Sequence, residues 1–255
     1  VVEELEKKGA ITVETVDDIP DGSIVVFSAH GFPPEDFENE RKRGLKIIDA
    51  VCPLVTRVHN EAKKYHNEGK RVLLVGHKGH QEVKGTMGQA PMTLISDGQD
   101  RLIPQWDSST DVAIITQTTL SVQDTSEAIA EIQNSFSNAT VRNDICYATT
   151  NRQDAVLAMS GKVDMVLVIG AQNSSNCNRL REVAESLGVD AYLINGPSEI
   201  HTEWIKPGYR VGVTSGASTP EILVDEVVKS LTPLKITVIP GVEENISFRL
   251  PEELR

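Results

Sequence analysis

Six continuous apolar runs, each closed by a small or polar loop, constrain the fold of this chain more than any other feature. They are Ile24-Val-Val-Phe27, Val72-Leu-Leu-Val75, Val112-Ala-Ile-Ile115, Met165-Val-Leu-Val-Ile169, Ala191-Tyr-Leu-Ile194 and Val211-Gly-Val-Thr214. A strand that faces water on one side alternates apolar with polar residues. Runs without alternation suit strands buried on both faces, hence parallel sheets with helices around them. The pattern predicts an α/β chain. Capping-box spacings mark the intervening helices: Asp124-Thr-Ser-Glu127 ahead of Ile129, Ile132 and Phe136, and Ser218-Thr-Pro-Glu221 ahead of Ile222, Leu223 and Val227. Leu180, Val183, Ala184 and Leu187 give a further apolar face, closed by Gly188. Leu234 to Ile239 alternates imperfectly and could be a strand, and the rest of the tail reads as an extended segment packed on the body.

The chain has 255 residues, 39% of them hydrophobic, enough for one large domain or two to three small ones. Its net charge of −12 opposes binding to nucleic acid or to an anionic membrane. No run has the length of a membrane-spanning helix, and no signal peptide is visible. Three widely spaced cysteines, Cys52, Cys146 and Cys177, argue for a reducing compartment rather than a disulfide framework. Val1 to Gly9 reads as the closing turns of an amphipathic helix with Gly9 as its C-cap, without an opening cap or Met, so the chain is expected to lack its natural front.

The loops that follow the strands hold the chemistry. They read Ser28-Ala-His-Gly31, Gly76-His-Lys-Gly-His80, Thr116-Gln-Thr-Thr119, Gly170-Ala-Gln-Asn-Ser-Ser-Asn176 and Ser215-Gly-Ala-Ser218. Ligands of open α/β sheets bind beyond the carboxyl ends of strands, and helix N-termini attract anions. Ordinary capping explains any one of these loops. Five together point to a small, strongly anionic ligand. Cys146 sits about one turn ahead of a helix whose box is Thr150 with Gln153, where the helix dipole favours a metal-binding thiolate. Cys52 is followed by Pro53, a pair also found at iron–sulfur ligands, and no C-x₂-C spacing is present for a zinc ribbon. Cys177 could be a third ligand, a free thiol or a serine-like loop residue. Glu82, beside His80 and Gly85, is a candidate general acid, or merely a solvated glutamate. His59, His66 and His201 stand in polar surroundings and are expected at the surface.

Taken in order, Ser28-Ala-His-Gly31, Asp49-Ala-Val-Cys-Pro-Leu-Val-Thr56, Gly76-His-Lys-Gly-His-Gln-Glu-Val-Lys-Gly-Thr-Met-Gly88, Thr116-Gln-Thr-Thr-Leu-Ser121, Asp144-Ile-Cys-Tyr-Ala-Thr-Thr-Asn-Arg-Gln153, Asn173-Ser-Ser-Asn176 and Gly216-Ala-Ser218 resemble the LytB/IspH family. These are the 4-hydroxy-3-methylbut-2-enyl diphosphate reductases, and the similarity runs from the first residue into the tail. The resemblance implies a trefoil of three α/β lobes around a [4Fe-4S] cluster. Lobes at 1–52, 53–145 and 146–232 and a tail at 233–255 are expected. Cys52 and Cys146 match two of the cluster's three cysteine ligands, the remaining one being expected ahead of Val1. Cys177 matches a serine-like position. Glu82 matches the proton donor, with Thr118 and His80 placing the proton. His30, His80, Ser174, Ser175, Asn176 and Ser218 match the diphosphate contacts. The implied partners are the allylic diphosphate and an acidic ferredoxin or flavodoxin, for which Arg41 to Arg43 with Lys46, or Lys63-Lys64 with Lys70-Arg71, are candidate basic patches. The implied location is bacterial cytoplasm or plastid stroma.

Two other classes compete. One is an inactive fragment or small-anion-binding protein, cluster-free or zinc-loaded, favoured only by the missing cysteine. The other is a cysteine hydrolase pairing Cys52 or Cys146 with His30 or His80. Neither cysteine has a histidine partner at a recognisable spacing, and the Asn-Ser-Ser-Asn loop is unexplained by that chemistry.

Overall fold

The computed structural model describes residues 2–13, 15–98 and 101–255, and of residues 2–4 the backbone alone. Nine strands form three sheets, all parallel. β1 (Ile24–Phe27) pairs with β2 (Lys46–Asp49). β3 (Arg71–Gly76), β4 (Met92–Ser96), β5 (Val112–Thr116) and β6 (Ala139–Val141) lie in the order β4-β3-β5-β6. β7 (Met165–Ile169), β8 (Asp190–Ile194) and β9 (Val211–Ser215) lie in the order β8-β7-β9. The helices are α1 (Val2–Lys7), α2 (Pro34–Lys42), α3 (Pro53–Asn67), α4 (Gln81–Met87), α5 (Val122–Ser135), α6 (Tyr147–Ser160), α7 (Ser175–Ser186) and α8 (Glu221–Ser230). No helix among the described residues is long and apolar enough to cross a membrane.

The six apolar runs all become strands. Every residue of the central strands β5 and β7 is buried, as is all of β3 beyond Arg71. That is what a run without alternation demands. β2, β4 and β6 were not legible as runs. Each is an edge strand, short and only partly buried, so polar residues interrupt its apolar signal.

Chain contacts divide the molecule into two compact units. The first holds Val1–Gln117, Glu127–Asp144 and Ile246–Arg255, and the second Thr118–Ser126 and Ile145–Asn245. In the first, Val58, Ala62 and Tyr65 of α3 close over Val72, Leu74, Ala113 and Ile115. In the second, Val156, Met159, Leu180 and Ala184 from α6 and α7 cover one face of the β7 sheet, and Val227 with Leu223 and Trp204 the other.

Several local readings need correction. α5 starts at Val122, three residues ahead of the expected first turn, and the Ser121 hydroxyl accepts from Asp124 N. α6 starts at Tyr147 with Cys146 itself as N-cap, so the cysteine is not a turn upstream. Thr150 bonds back to Cys146 and Tyr147 carbonyls instead of capping. α8 is capped by Pro220, while exposed Ser218 makes no cap bond. Leu234 to Ile239 forms no strand, and Leu234, Ile236 and Val238 are exposed. His59 is buried rather than at the surface, because it shares the inner face of α3 with Val55, Val58, Ala62 and Tyr65.

Candidate functional site

In the first unit, β3 lies between β4 and β5, so successive connections leave it in opposite directions. Such a switch point opens a crevice at the strands' carboxyl ends. The loop after β3 enters that crevice, and the Gln117 carboxamide, beyond β5, accepts the His77 N–H at 2.9 Å. His80 ends the loop as N-cap of α4. Its Nδ1 accepts from Glu82 N at 3.2 Å, so its proton sits on Nε2, facing away from the helix backbone. The His80 ring meets that of His30, from the loop after β1, edge to face at 5.5 Å. Burial first, then the neighbouring His30 and His77, push His80 down to about 4. His30 is lowered too, by desolvation of its ring, although the residue as a whole is exposed. Glu82 is 1% exposed, which rules out the solvated-glutamate reading.

One device delivers both half-buried cysteines. After β2 the chain continues the parallel ladder beside β1: Ala50 N donates to Phe27 O, and Cys52 N to Ala29 O at 3.1 Å. Cys52 then becomes the N-cap of α3, with no cap bond from its side chain. After β6 the same happens beside β5. Arg142 N donates to Ile114 O, Asp144 N to the Thr116 hydroxyl at 2.8 Å, and, in the second unit, Cys146 N to Thr118 O at 3.0 Å. Cys146 then caps α6, its Sγ 3.1 Å from the Thr149 hydroxyl. Each cysteine is thus held by its backbone while its sulfur remains free of capping. Asp144 is buried near Arg142 and Arg57, and burial raises it to about 6 against the pull of both guanidinium groups.

The second unit repeats the switch-point geometry at β7, whose neighbours are β8 and β9. The loop after β7 runs into α7, and the Ser174 hydroxyl caps it by accepting from Cys177 N. Ser175 Oγ donates to Thr119 O at 3.1 Å. Asn176 is 6% exposed, and among the described residues neither its Nδ2 nor its Oδ1 has a hydrogen-bond partner. A buried amide left open in this way fits a site that a polar ligand completes. Ser218 is exposed in the loop after β9.

Cys177 is 2% exposed and points into the core. A Cβ at Gly170 or Gly216 would lie 2.3 or 2.4 Å from its sulfur, so the thiol fills space that only two glycines leave. Burial raises its pKa. It is a packing residue, and the third-ligand reading is not supported. Sequence reasoning read Gln153 as the partner of Thr150 in a capping box, but it is buried. Its Nε2 donates to Leu120 O and its Oε1 accepts from Val122 N, bracing the Thr119 loop rather than closing a cap.

Parallel α/β sheets whose strand ends present paired histidines, a buried carboxyl and an open asparagine define an α/β protein with polar ligand loops at two switch points. The chain belongs to the LytB protein family, whose description matches residues 1–232. It is 49% identical to 4-hydroxy-3-methylbut-2-enyl diphosphate reductase 2 of Bradyrhizobium diazoefficiens, across all of this chain and 85% of that one. It is 47% identical to the reductase of Pseudomonas putida, across 84% of the relative. The solved E-1-hydroxy-2-methyl-but-2-enyl-4-diphosphate reductase of Plasmodium falciparum superposes with a TM-score of 0.91 at 34% identity, over 99% of this chain and 82% of that one. A second solved reductase, the terminal enzyme of the non-mevalonate pathway, gives a TM-score of 0.61 at 33% identity, over 91% and 83%.

Proposed function

We propose that the chain reductively removes the allylic hydroxyl of 4-hydroxy-3-methylbut-2-enyl diphosphate, giving isopentenyl and dimethylallyl diphosphates in the last step of the non-mevalonate isoprenoid pathway. The observation that carries this reading is the buried Glu82 fixed beside the His80–His30 pair in a LytB-family chain. Cys52 and Cys146 would hold a [4Fe-4S] cluster. Both are free thiols, half-buried and unused as side-chain caps. Among the described residues no group of three metal-binding side chains converges. Such a cluster supplies electrons and a Lewis-acidic iron when bound.

The rest of the work falls to the protein. The reaction consumes two electrons and two protons and releases water. Hydroxide leaves poorly, so the oxygen must be protonated as its carbon bond breaks. Glu82 gives that proton, and a positioned acid contributes roughly 10²–10⁴ in rate. Thr118 and His80 orient it. His30 and His80, with Ser174, Ser175, Asn176 and Ser218, hold the diphosphate oxygens. In an acidic chain these local donors must outweigh an unfavourable overall field. A ferredoxin or flavodoxin type donor fits the chemistry. Of the basic clusters, Arg43 is engaged by Asp21 and Glu40, Lys70 by Thr140, and Arg71 by the Trp106 ring. Arg41 and Lys63, which line one cavity, are the better anchors for an acidic surface. The family's usual compartment, bacterial cytoplasm or plastid stroma, suits free cysteines.

Anaerobic reconstitution with iron and sulfide tests the proposal, on this chain and on one extended with flanking polypeptide. Glu82→Gln should keep iron content and visible absorbance while turnover falls at least about 10²-fold. Undiminished turnover would remove Glu82 from the mechanism. Failure of both chains to take up iron would favour the anion-binding reading instead.

A further inference from the structure

The segment that follows His30 is seated closely against α3 and α4. Gly31 turns the chain with φ +79, a left-handed conformation that favours glycine. On one side lies α4. A Cβ at Gly85 would be 2.8 Å from Gly31 O and 2.9 Å from Gly31 C, both backbone atoms that cannot swing aside. A Cβ at Gly88 would be 2.5 Å from Pro33 Cβ. The Gln89 carboxamide staples the two together, its Nε2 donating to Phe32 O at 3.1 Å and to Gly85 O at 2.9 Å. On the other side lie α3, whose His59 Cε1 would be 2.7 Å from a Cβ on Gly31, and the segment leading into it, whose Val51 Cγ2 would be 3.1 Å away.

Three functional segments therefore share one clamp. α3 starts from Cys52, α4 carries Glu82 behind its His80 cap, and the clamped segment carries His30. Beside the clamp is a cavity of about 450 Å³ lined in part by Phe32, Val51, His59 and Gln89. The loop could relax into that space, so its register is not enforced by packing on every side. It depends on the glycine seat and the Gln89 staple.

We propose that Gly85, Gly88, Gln89 and His59 are positioning residues that hold the His30 imidazole opposite His80 and Glu82. This inference rests on the reading of His30 as a diphosphate contact. A methyl group at Gly85 would lift the Gly31–Phe32 backbone off α4, and the cavity would accept the displaced loop without unfolding the unit.

Two readouts on full-length protein with isotope-labelled histidine test it. The first is the nuclear Overhauser effect between the His30 and His80 rings, which needs no ligand. It should be present in the wild type and weakened or lost in Gly85→Ala and in the milder Gln89→Ala, with the circular dichroism spectrum retained. The second is inorganic pyrophosphate binding by calorimetry. Gly85→Ala should weaken it about tenfold, but less than about twofold once His30→Ala is already present, as coupled sites require. If Gly85→Ala keeps the ring-to-ring signal, or its penalty is the same without His30, the positioning role is wrong. If the wild type does not bind pyrophosphate, the diphosphate reading of His30 fails, and the ring-to-ring signal alone still decides the clamp. Should Gly85→Ala unfold, Gln89→Ala takes both measurements with no added volume.

Discussion

His59 shows what one residue's surroundings decide. Asn60 and Glu61 follow it in sequence, yet the helix turns it inward, and its Nε2 is buried without a partner among the described residues. Desolvation first, and then the nearby Lys63, lower its pKa to about 4 from an ordinary 6.5. The unfolded chain therefore binds this proton more readily than the folded one. The stability linked to neutral His59 is present in full above pH 6.5, is lost as pH falls toward 4, and changes little below that. A shift of this size corresponds to about 3 kcal/mol at most. Urea unfolding of the wild type and His59→Gln should show it. The difference between their stabilities should change between pH 6.5 and 4 and stay flat above pH 7. A pH-independent difference would mean that His59 titrates alike in the folded and the unfolded chain. Glu82 is the opposite kind of misreading risk. Its burial could not be read from a loop rich in His, Lys and Gly, because depth comes from the sheet below it.

Among elements, the edge strands β2 and β6 matter more than their length suggests. Each guides the chain along its neighbour's ladder to a cysteine that then caps a helix. Thr116 is fully buried, and its hydroxyl replaces a backbone carbonyl in accepting Asp144 N at 2.8 Å. Thr116→Val keeps the shape but leaves that N–H without its acceptor. It should destabilise the protein by about 1–3 kcal/mol in chemical denaturation. The same variant should raise amide exchange of Asp144 and Cys146 relative to β5. Unchanged exchange there would mean that the segment is anchored elsewhere. The ladder extension was invisible in the sequence, since β6 is three residues long and Asp144 is bonded through a side chain rather than a backbone carbonyl.

At the scale of the whole molecule, 37 acidic residues against 25 basic ones set a repulsive field for polyanions. The chain should therefore pass unretained through heparin at about 0.15 M salt, where exposed charges more than about 8 Å apart are largely screened. Retention that fades with added salt would reveal a basic surface strong enough to overcome the net charge. The sequence by itself determined the parallel α/β class, because strands buried on both faces need uninterrupted apolar runs, and β3, β5 and β7 have them. It also determined which loops hold polar donors, since those loops must follow the strands. Tertiary structure alone decided which donors are open and which are used up. Asn176 and Cys177 are adjacent and both buried, yet one ends as an unpartnered amide and the other as packing between two glycines. Thr150 and Gln153 satisfy a capping spacing, yet Cys146 takes the cap and Gln153 braces a loop 33 residues away. Spacing fixes what a local segment can do, but burial and competing partners, which come from chain far away in sequence, select which of those options is realised.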